Sequence, residues 1–495
     1  MSEFKRHRLA DLYEISSGIS TTKDQAGHGA PFVAFKDIYN NYFIPERLTE
    51  LMDTTPEQQE KFSVREGDVF LTRTSETLDE LAMSSVALQD HPNATFSGFA
   101  KRLRPRDPSN PDPQFMGFFL RSDYFRRIIN SVTTMTTRAS FNEAIFSHVE
   151  VDLPDLDSQV QIGELLYSIE QQIELNNQVN DNLQAMLQTL YGYWFLQFDF
   201  PDENGRPYRS SGGRMVWNDQ LKREIPAGWR VGANEELFDG IRTGLNPRQN
   251  FSLRTQGIAY LTVKNLTKDG GLDFASCDYI DEEAMAKVRR RSDLRVGDIL
   301  FASIAPLRRC FLIYEEPRDW EINESVFSIR PRRGVTTPEY VYCHLMSDAF
   351  VKQAEQSSTG SIFKGIRHET LKGLMTVIPP EIIAQSYASA VSPIMRMRND
   401  NLEENRKLQE LRDWLLPMLM NGQATVASSD KLSFAARCSH RRRGNPKREQ
   451  PPTRVLPIGG GRHEATTHRG RSTGHAQRAR QRPAQATRIH PASRD

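Results

Sequence analysis

One order of sequence features runs through the 495 residues twice, displaced by about 225 to 230 positions, so the chain reads as two copies of one unit. Ile15-Ser16-Ser17-Gly18 answers to Ile241-Arg242-Thr243-Gly244, and Phe35-Lys36-Asp37-Ile38 to Val263-Lys264-Asn265-Leu266. Arg65-Glu66-Gly67-Asp68-Val69-Phe70-Leu71 answers to Arg295-Val296-Gly297-Asp298-Ile299-Leu300-Phe301, and each of these predicts a Gly-Asp turn followed by a buried strand. Asp152-Leu153-Pro154 and Val377-Ile378-Pro379 then precede two long helical patterns. A chain of this length holds two or three domains, each with its own core.

The helical patterns carry a heptad seam. Alternating steps of four and three from Ile162 reach Leu166, Ile169, Ile173, Asn176, Asn180, Leu183, Leu187, Leu190 and Trp194. The same steps in the second copy reach Tyr387, Val391, Ile394, Arg398, Asn401, Asn405, Leu408, Arg412, Leu415 and Leu419. The asparagine pair therefore recurs at the same two seam positions. A polar Asn in such a seam costs stability but fixes register and partner. A dimerisation tag does not need to occur twice with one defect in register, whereas an internal two-fold arrangement does. Two such helices in one chain most simply pack against each other, with Asn176, Asn180, Asn401 and Asn405 setting the register. From Ala139 to Gly205 there is no Lys or Arg, which leaves this surface to a protein partner rather than to phosphates.

Net charge is +1, yet residues 431–495 hold 16 Lys and Arg against 3 Asp and Glu. The remaining body is acidic, which argues against a binder that coats nucleic acid by charge alone. The Arg-rich tail from about residue 423 has few large apolar residues and is expected to be disordered. No apolar run of about 18 residues and no apolar signal core point to a membrane or to secretion, so the cytoplasm is the expected compartment. Cys277, Cys310, Cys343 and Cys438 are too scattered for a metal knuckle and too few for a disulfide framework. Neither a Gly-rich cofactor loop nor an Asn/Asp-Pro-Pro-aromatic element for a flipped base is present. Gly360 to Ile366 lacks the Lys-Ser/Thr of a phosphate loop and reads as a turn, and His344 lies in an apolar helical run, Tyr340 to Phe350. No metal-binding spacing appears.

Trp194-Phe195-Leu196-Gln197-Phe198-Asp199-Phe200-Pro201-Asp202-Glu203-Asn204-Gly205-Arg206-Pro207-Tyr208, with Ser210-Ser211-Gly212-Gly213, Met215-Val216-Trp217 and Ile225-Pro226-Ala227-Gly228-Trp229, resembles the central junction of type I restriction-modification specificity subunits. The resemblance covers about residues 4 to 425. It implies a mixed α/β chain: two target-recognition domains separated by two long helices that form an antiparallel coiled coil, with an internal pseudo-two-fold repeat. The expected divisions are 1–153 for the first recognition domain, 154–198 for the first helix and 199–224 for the junction. The second recognition domain takes 225–378, the second helix 379–422 and the tail 423–495. The resemblance further implies a non-catalytic, sequence-specific DNA-binding subunit that reads a bipartite double-stranded target in host defence. Two modification (methyltransferase) subunits would bind through the helices, and restriction subunits would join them. S-adenosylmethionine, ATP and Mg would be used by those partners, with no cofactor bound by this chain. Two other classes stay open on the residues alone: a methyltransferase or nuclease with diverged motifs, and a coiled-coil scaffold without DNA affinity.

Reading bases needs side chains such as Arg and Asn set against phosphate anchors. The loops after the two repeated strands offer Arg73, Thr74 and Ser75 in the first copy, and Ser303, Arg308 and Arg309 in the second. Two hydroxyl-rich segments add Arg138 and Ser140, and Ser361 and Lys364; such segments suit phosphate contacts but are also ordinary turns. Lys36, Lys264 and Asn265, at matching repeat positions, complete the candidates. The basic runs Lys101, Arg102, Arg104 and Arg289, Arg290, Arg291 rank below the loops as solvated faces.

Overall fold

The computed structural model describes residues 4–75, 80–133, 139–357 and 365–426. Each copy of the repeat is organised around its Gly-Asp turn. Gly67 and Gly297 take φ of +80° and +89°, a left-handed conformation open to glycine. The buried Asp68 carboxylate accepts from the Arg65 N–H at 2.8 Å and twice from Arg104, at 2.7 and 2.6 Å. Asp298 does the same with Arg295 N–H at 3.1 Å and Arg330 at 2.8 Å to each oxygen. The first copy's basic run is thereby drawn inward: Arg102 is buried and donates to the Ser63 carbonyl, and the buried Lys101 pairs with Glu143. In the second run, Arg289 bonds Glu321, whose carboxyl burial pushes above the usual range. The first run thus holds the fold rather than facing solvent, whereas in the second Arg289 is partly exposed and Arg290 and Arg291 are exposed, as a solvated face.

The strands that follow the turns, Val69–Thr72 and Ile299–Ala302, are buried throughout, as continuous apolar runs demand. Each is an inner strand of a four-stranded sheet. The first sheet runs Tyr13–Ser17, Ala100–Pro105, Val69–Thr72, Ser84–Val86; the second runs Phe238–Thr243, Val326–Pro331, Ile299–Ala302, Cys310–Leu312. A three-stranded sheet accompanies each, with Ala26–Val33 and Ile258–Leu261 in the middle. Both middle strands pair antiparallel on one side and parallel on the other. Antiparallel ribbons, Lys5–Arg8 with Glu150–Leu153 and Arg230–Ala233 with Met375–Ile378, close each half next to a long helix. The strand orders of the two halves are the same.

The first long helix, Leu156–Tyr191, starts at an Asp155 cap that accepts from Ser158 N–H and ends in a π-helical turn, Gly192–Leu196. The second, Glu381–Met420, runs antiparallel to it: Glu170 meets Arg412, Asn176 meets Asn405, Asn180 meets Asn401, and Tyr191 meets Tyr387. Ile162, Leu166, Ile169, Ile173, Asn176, Asn180, Leu183 and Leu187 are buried, following the seam. Toward Tyr387 the seam moves on by one residue, from Leu190 to Tyr191 and from Ile394 to Met395. The shift is local, because Trp194, Tyr387, Val391 and Arg398 are buried at their seam positions. Each half also takes in one end of the other's helix. Leu419 and Met420 pack in the first half's core, while Leu187, Tyr191, Trp194 and Phe195 enter the second. The apolar run Tyr340 to Phe350 is two helices, Pro338–Met346 and Asp348–Gln356, divided at Ser347, whose hydroxyl caps the second.

Candidate nucleic-acid interface

Beyond each buried inner strand the chain leaves the sheet into a three-way backbone junction. In the first half Arg73 N–H donates to the Phe99 carbonyl at 2.8 Å, and the Arg73 carbonyl accepts from Phe141 N–H at 2.8 Å. In the second, Ser303 N–H donates to the Ser325 carbonyl at 3.2 Å, and its carbonyl accepts from Ile366 N–H at 2.9 Å. The same residue position thus ties together a strand end, a tight turn and the segment leading to the closing helix. Two glycines let a further chain segment pack closely behind each turn. A Cβ on Gly18 would lie 2.2 Å from the Ser97 carbonyl oxygen, and one on Gly244 would lie 1.6 Å from that of Ile322. The repeat aligns these two residues, but only the packing shows why neither carries a side chain.

Arg73 is exposed at its junction and has no ion-pair partner among the described residues. Thr74 and Ser75 continue as a short strand paired with Ala139 and Ser140, so these candidates share one ribbon. The Ser75 hydroxyl reaches Glu80 at 3.0 Å. Arg308 is partly exposed and paired with Asp348, a surface contact that costs about 0–1 kcal/mol to release. Lys36 is paired with Glu50, whose hydrogen bond raises the ammonium above its ordinary value, and exposed Lys264 lies 3.9 Å from Asp278. Lys36 lies in the short helix Phe35–Asn40 and Lys264 in the 3-10 turn Val263–Asn265, each just after the middle strand of its three-stranded sheet.

Three candidates are in internal use. Asn265 is fully buried, accepts from Thr262 N–H and donates to the Asp273 carbonyl. The buried Ser303 hydroxyl donates to the Ser325 carbonyl at 2.6 Å, and Arg309 donates to the Val263 carbonyl at 3.2 Å. Their polar groups are taken up by bonds within the fold. Arg138, Ser361 and Lys364 lie outside the described residues.

The seam asparagines meet as the spacing predicts. Asn176 donates to Asn405 at 2.9 Å and to Glu404 at 3.1 Å, Asn405 donates to Asn177 at 2.8 Å, and Asn401 donates to Asn180 at 2.9 Å. Sequence reading missed a second tie between the first half and the second helix. Tyr42 lies between two guanidiniums, Arg121 at 5.1 Å and Arg412 at 5.2 Å from its ring. The signal available was a charged residue, Arg412, at a seam position. His344 is buried, bonded to Tyr191 at 2.9 Å and Asn234 at 3.0 Å, and burial pushes its pKa down to about 4. It joins the first helix to the second half. Among the described residues no group of three or more His, Cys, Asp or Glu is placed to hold a metal ion, and no helix is long and apolar enough to cross a membrane.

Residues 1–185 match the family described as type I restriction modification DNA specificity domain. The MjaIX specificity subunit of Methanocaldococcus jannaschii is 22% identical over 85% of this chain and 93% of its own length. Over residues 1–185 the chain carries the type I DNA specificity domain, and along most of its length it is similar to type I specificity subunits. A second relative, the HindI specificity subunit of Haemophilus influenzae, is 21% identical over 86% of this chain and its full length. The fold is similar to that in the crystal structure of the S subunit from M. genitalium, with 84% of this chain and 96% of that one covered at a TM-score of 0.52 and 13% identity. In family terms, the matched region takes in the first half and most of the first long helix.

Proposed function

We propose that this chain is the non-catalytic, sequence-reading subunit of a type I restriction-modification complex, and that each half reads one part of a bipartite DNA target. The observation that carries this reading is the doubled junction at Arg73 and Ser303, which places a loop of the same build at one position in each half. The antiparallel helix pair sets the distance between the two loops and offers a surface for two modification subunits, which restriction subunits would join. On B-DNA, modules one helical turn apart address the same side of the duplex at roughly 34 Å, and a helix of 36 residues spans about 54 Å. The divisions drawn from the sequence, 1–153, 154–198, 199–224, 225–378, 379–422 and 423–495, are proposed as the working parts. S-adenosylmethionine, ATP and Mg belong to the partner subunits in this reading, and the complex works in the cytoplasm.

Arg73 is the foremost base-reading candidate, supported by its exposure and its fixed backbone. Arg73→Ala should weaken discrimination in one half of the target by about 1–3 kcal/mol if the guanidinium grips a guanine. Arg308→Ala should act on the other half. The test is selection of bound duplexes from a random-sequence pool by the chain purified with its modification subunit. A motif of two conserved blocks around an unselected spacer is expected; a single continuous block, or no enriched motif, would refute the proposal.

A further inference from the structure

Phe99 is 69% exposed, as open as any large apolar side chain among the described residues. It does not sit on a loose loop. Gly98 N–H donates to the Ile19 carbonyl at 2.8 Å, Phe99 N–H to the Ser97 hydroxyl at 3.2 Å, and Ala100 N–H to the Ser97 carbonyl at 2.9 Å. The Phe99 carbonyl is itself the acceptor for Arg73 N–H. Behind the turn Gly18 packs so closely that no Cβ fits. The ring is therefore held out toward solvent by a backbone fixed on three sides, next to the foremost base-reading arginine.

The fold does not call for an aromatic ring here. The second half builds the same turn with Ser325, whose carbonyl accepts from Ser303 N–H as that of Phe99 does from Arg73. A large apolar group left in water at a rigid position loses little conformational freedom when a partner covers it, which favours binding. Along the edges of an intact duplex the methyl group of thymine, in the major groove, is the apolar feature that such a side chain can cover, while arginine beside it suits guanine.

We infer that Phe99 covers the 5-methyl group of a thymine in the first half of the target, an apolar contact made from the turn position where the second half carries Ser325. The inference rests on the proposed function and adds to it a residue and a base.

The test uses the full chain purified with its modification subunit and duplexes carrying the selected motif, with each thymine of the motif replaced in turn by deoxyuridine, which lacks only the methyl group. For the unaltered chain one replacement in the first half should lower affinity about fourfold, the worth of burying one methyl. With Phe99→Ala that same replacement should cost nothing, while Phe99→Leu should retain part of the effect. Replacements in the second half should cost the same with and without the ring. The inference is overturned if the first half of the motif contains no thymine, if no replacement lowers affinity, or if the loss persists in Phe99→Ala. Loss of affinity in Phe99→Ala without any deoxyuridine effect would also overturn it, pointing to insertion between bases. If the unaltered complex shows no sequence preference, the proposed function fails and this inference falls with it; a preference indifferent to Phe99 defeats the inference alone.

Discussion

Replacing Asn405 with leucine should destabilise the helix pair, whereas replacing Asn405 and Asn176 together should nearly restore it. Both side chains are buried, and they are joined by the Asn176-to-Asn405 bond at 2.9 Å. Asn405→Leu removes that acceptor and leaves Asn177 without its donor at 2.8 Å, while Asn176 keeps only Glu404 at 3.1 Å on its amide nitrogen. An unsatisfied buried polar group costs about 1–3 kcal/mol, and leucine recovers part of this by apolar burial, so a net loss of about 1–2 kcal/mol is expected. In the double variant two apolar side chains face each other and the stranded amide is gone. The singles should therefore overshoot the double by about 1–2 kcal/mol of coupling. Urea unfolding followed by far-ultraviolet circular dichroism on all four chains measures this. Additive losses would refute the view that the two asparagines act as a pair. The double variant should also form more misregistered or intermolecular species on size-exclusion chromatography, since the polar pair that fixes register is lost.

His344 should make stability fall with acid. Its folded-state pKa of about 4 lies below the ordinary 6.5, so the unfolded chain binds the extra proton, and stability present above 6.5 is lost as pH falls toward 4, by at most about 1.4 kcal/mol per unit. The urea midpoint of His344→Gln should lack this component; an unchanged pH slope would contradict the burial argument. Gly18→Ala and Gly244→Ala should each destabilise the chain by about 1–3 kcal/mol, because a methyl group is driven onto a carbonyl oxygen. Each should blur selectivity in its own half of the target, and a loss spread over both halves would be the contrary result. Asp298→Asn should cost about 1–3 kcal/mol, because Arg330 loses its buried carboxylate but keeps Asp293 at 3.0 Å, and a change within error in thermal unfolding would count against it.

Much of the framework was legible because it depends on short-range rules. A Gly-Asp turn before an apolar run, repeated at a fixed interval, specifies the same turn and inner strand twice, and the asparagines reveal the register of the helices. The site was less legible, because its decisive contacts join residues far apart in sequence. Asn265 and Ser303 carry the donors and acceptors that DNA readout would use, yet fold closure consumes them. Lys101 and Arg102 read as a solvated run but are buried in pairing with Glu143 and the Ser63 carbonyl. Phe99 gives no periodic signal, and its exposure is a property of the turn built by Gly18, Ile19 and Arg73. Residue type suggested candidates; burial and partners separated them.

The central claim is that two similar halves read two separate parts of one target, and region exchange tests it most directly. Residues 226–376 would be replaced by the corresponding region of a related specificity subunit, the chain expressed with its modification subunit, and the methylated motif mapped on host DNA. The account predicts that one block of the motif changes while the other block keeps its sequence. A change in both blocks, or a motif without two blocks, would contradict it.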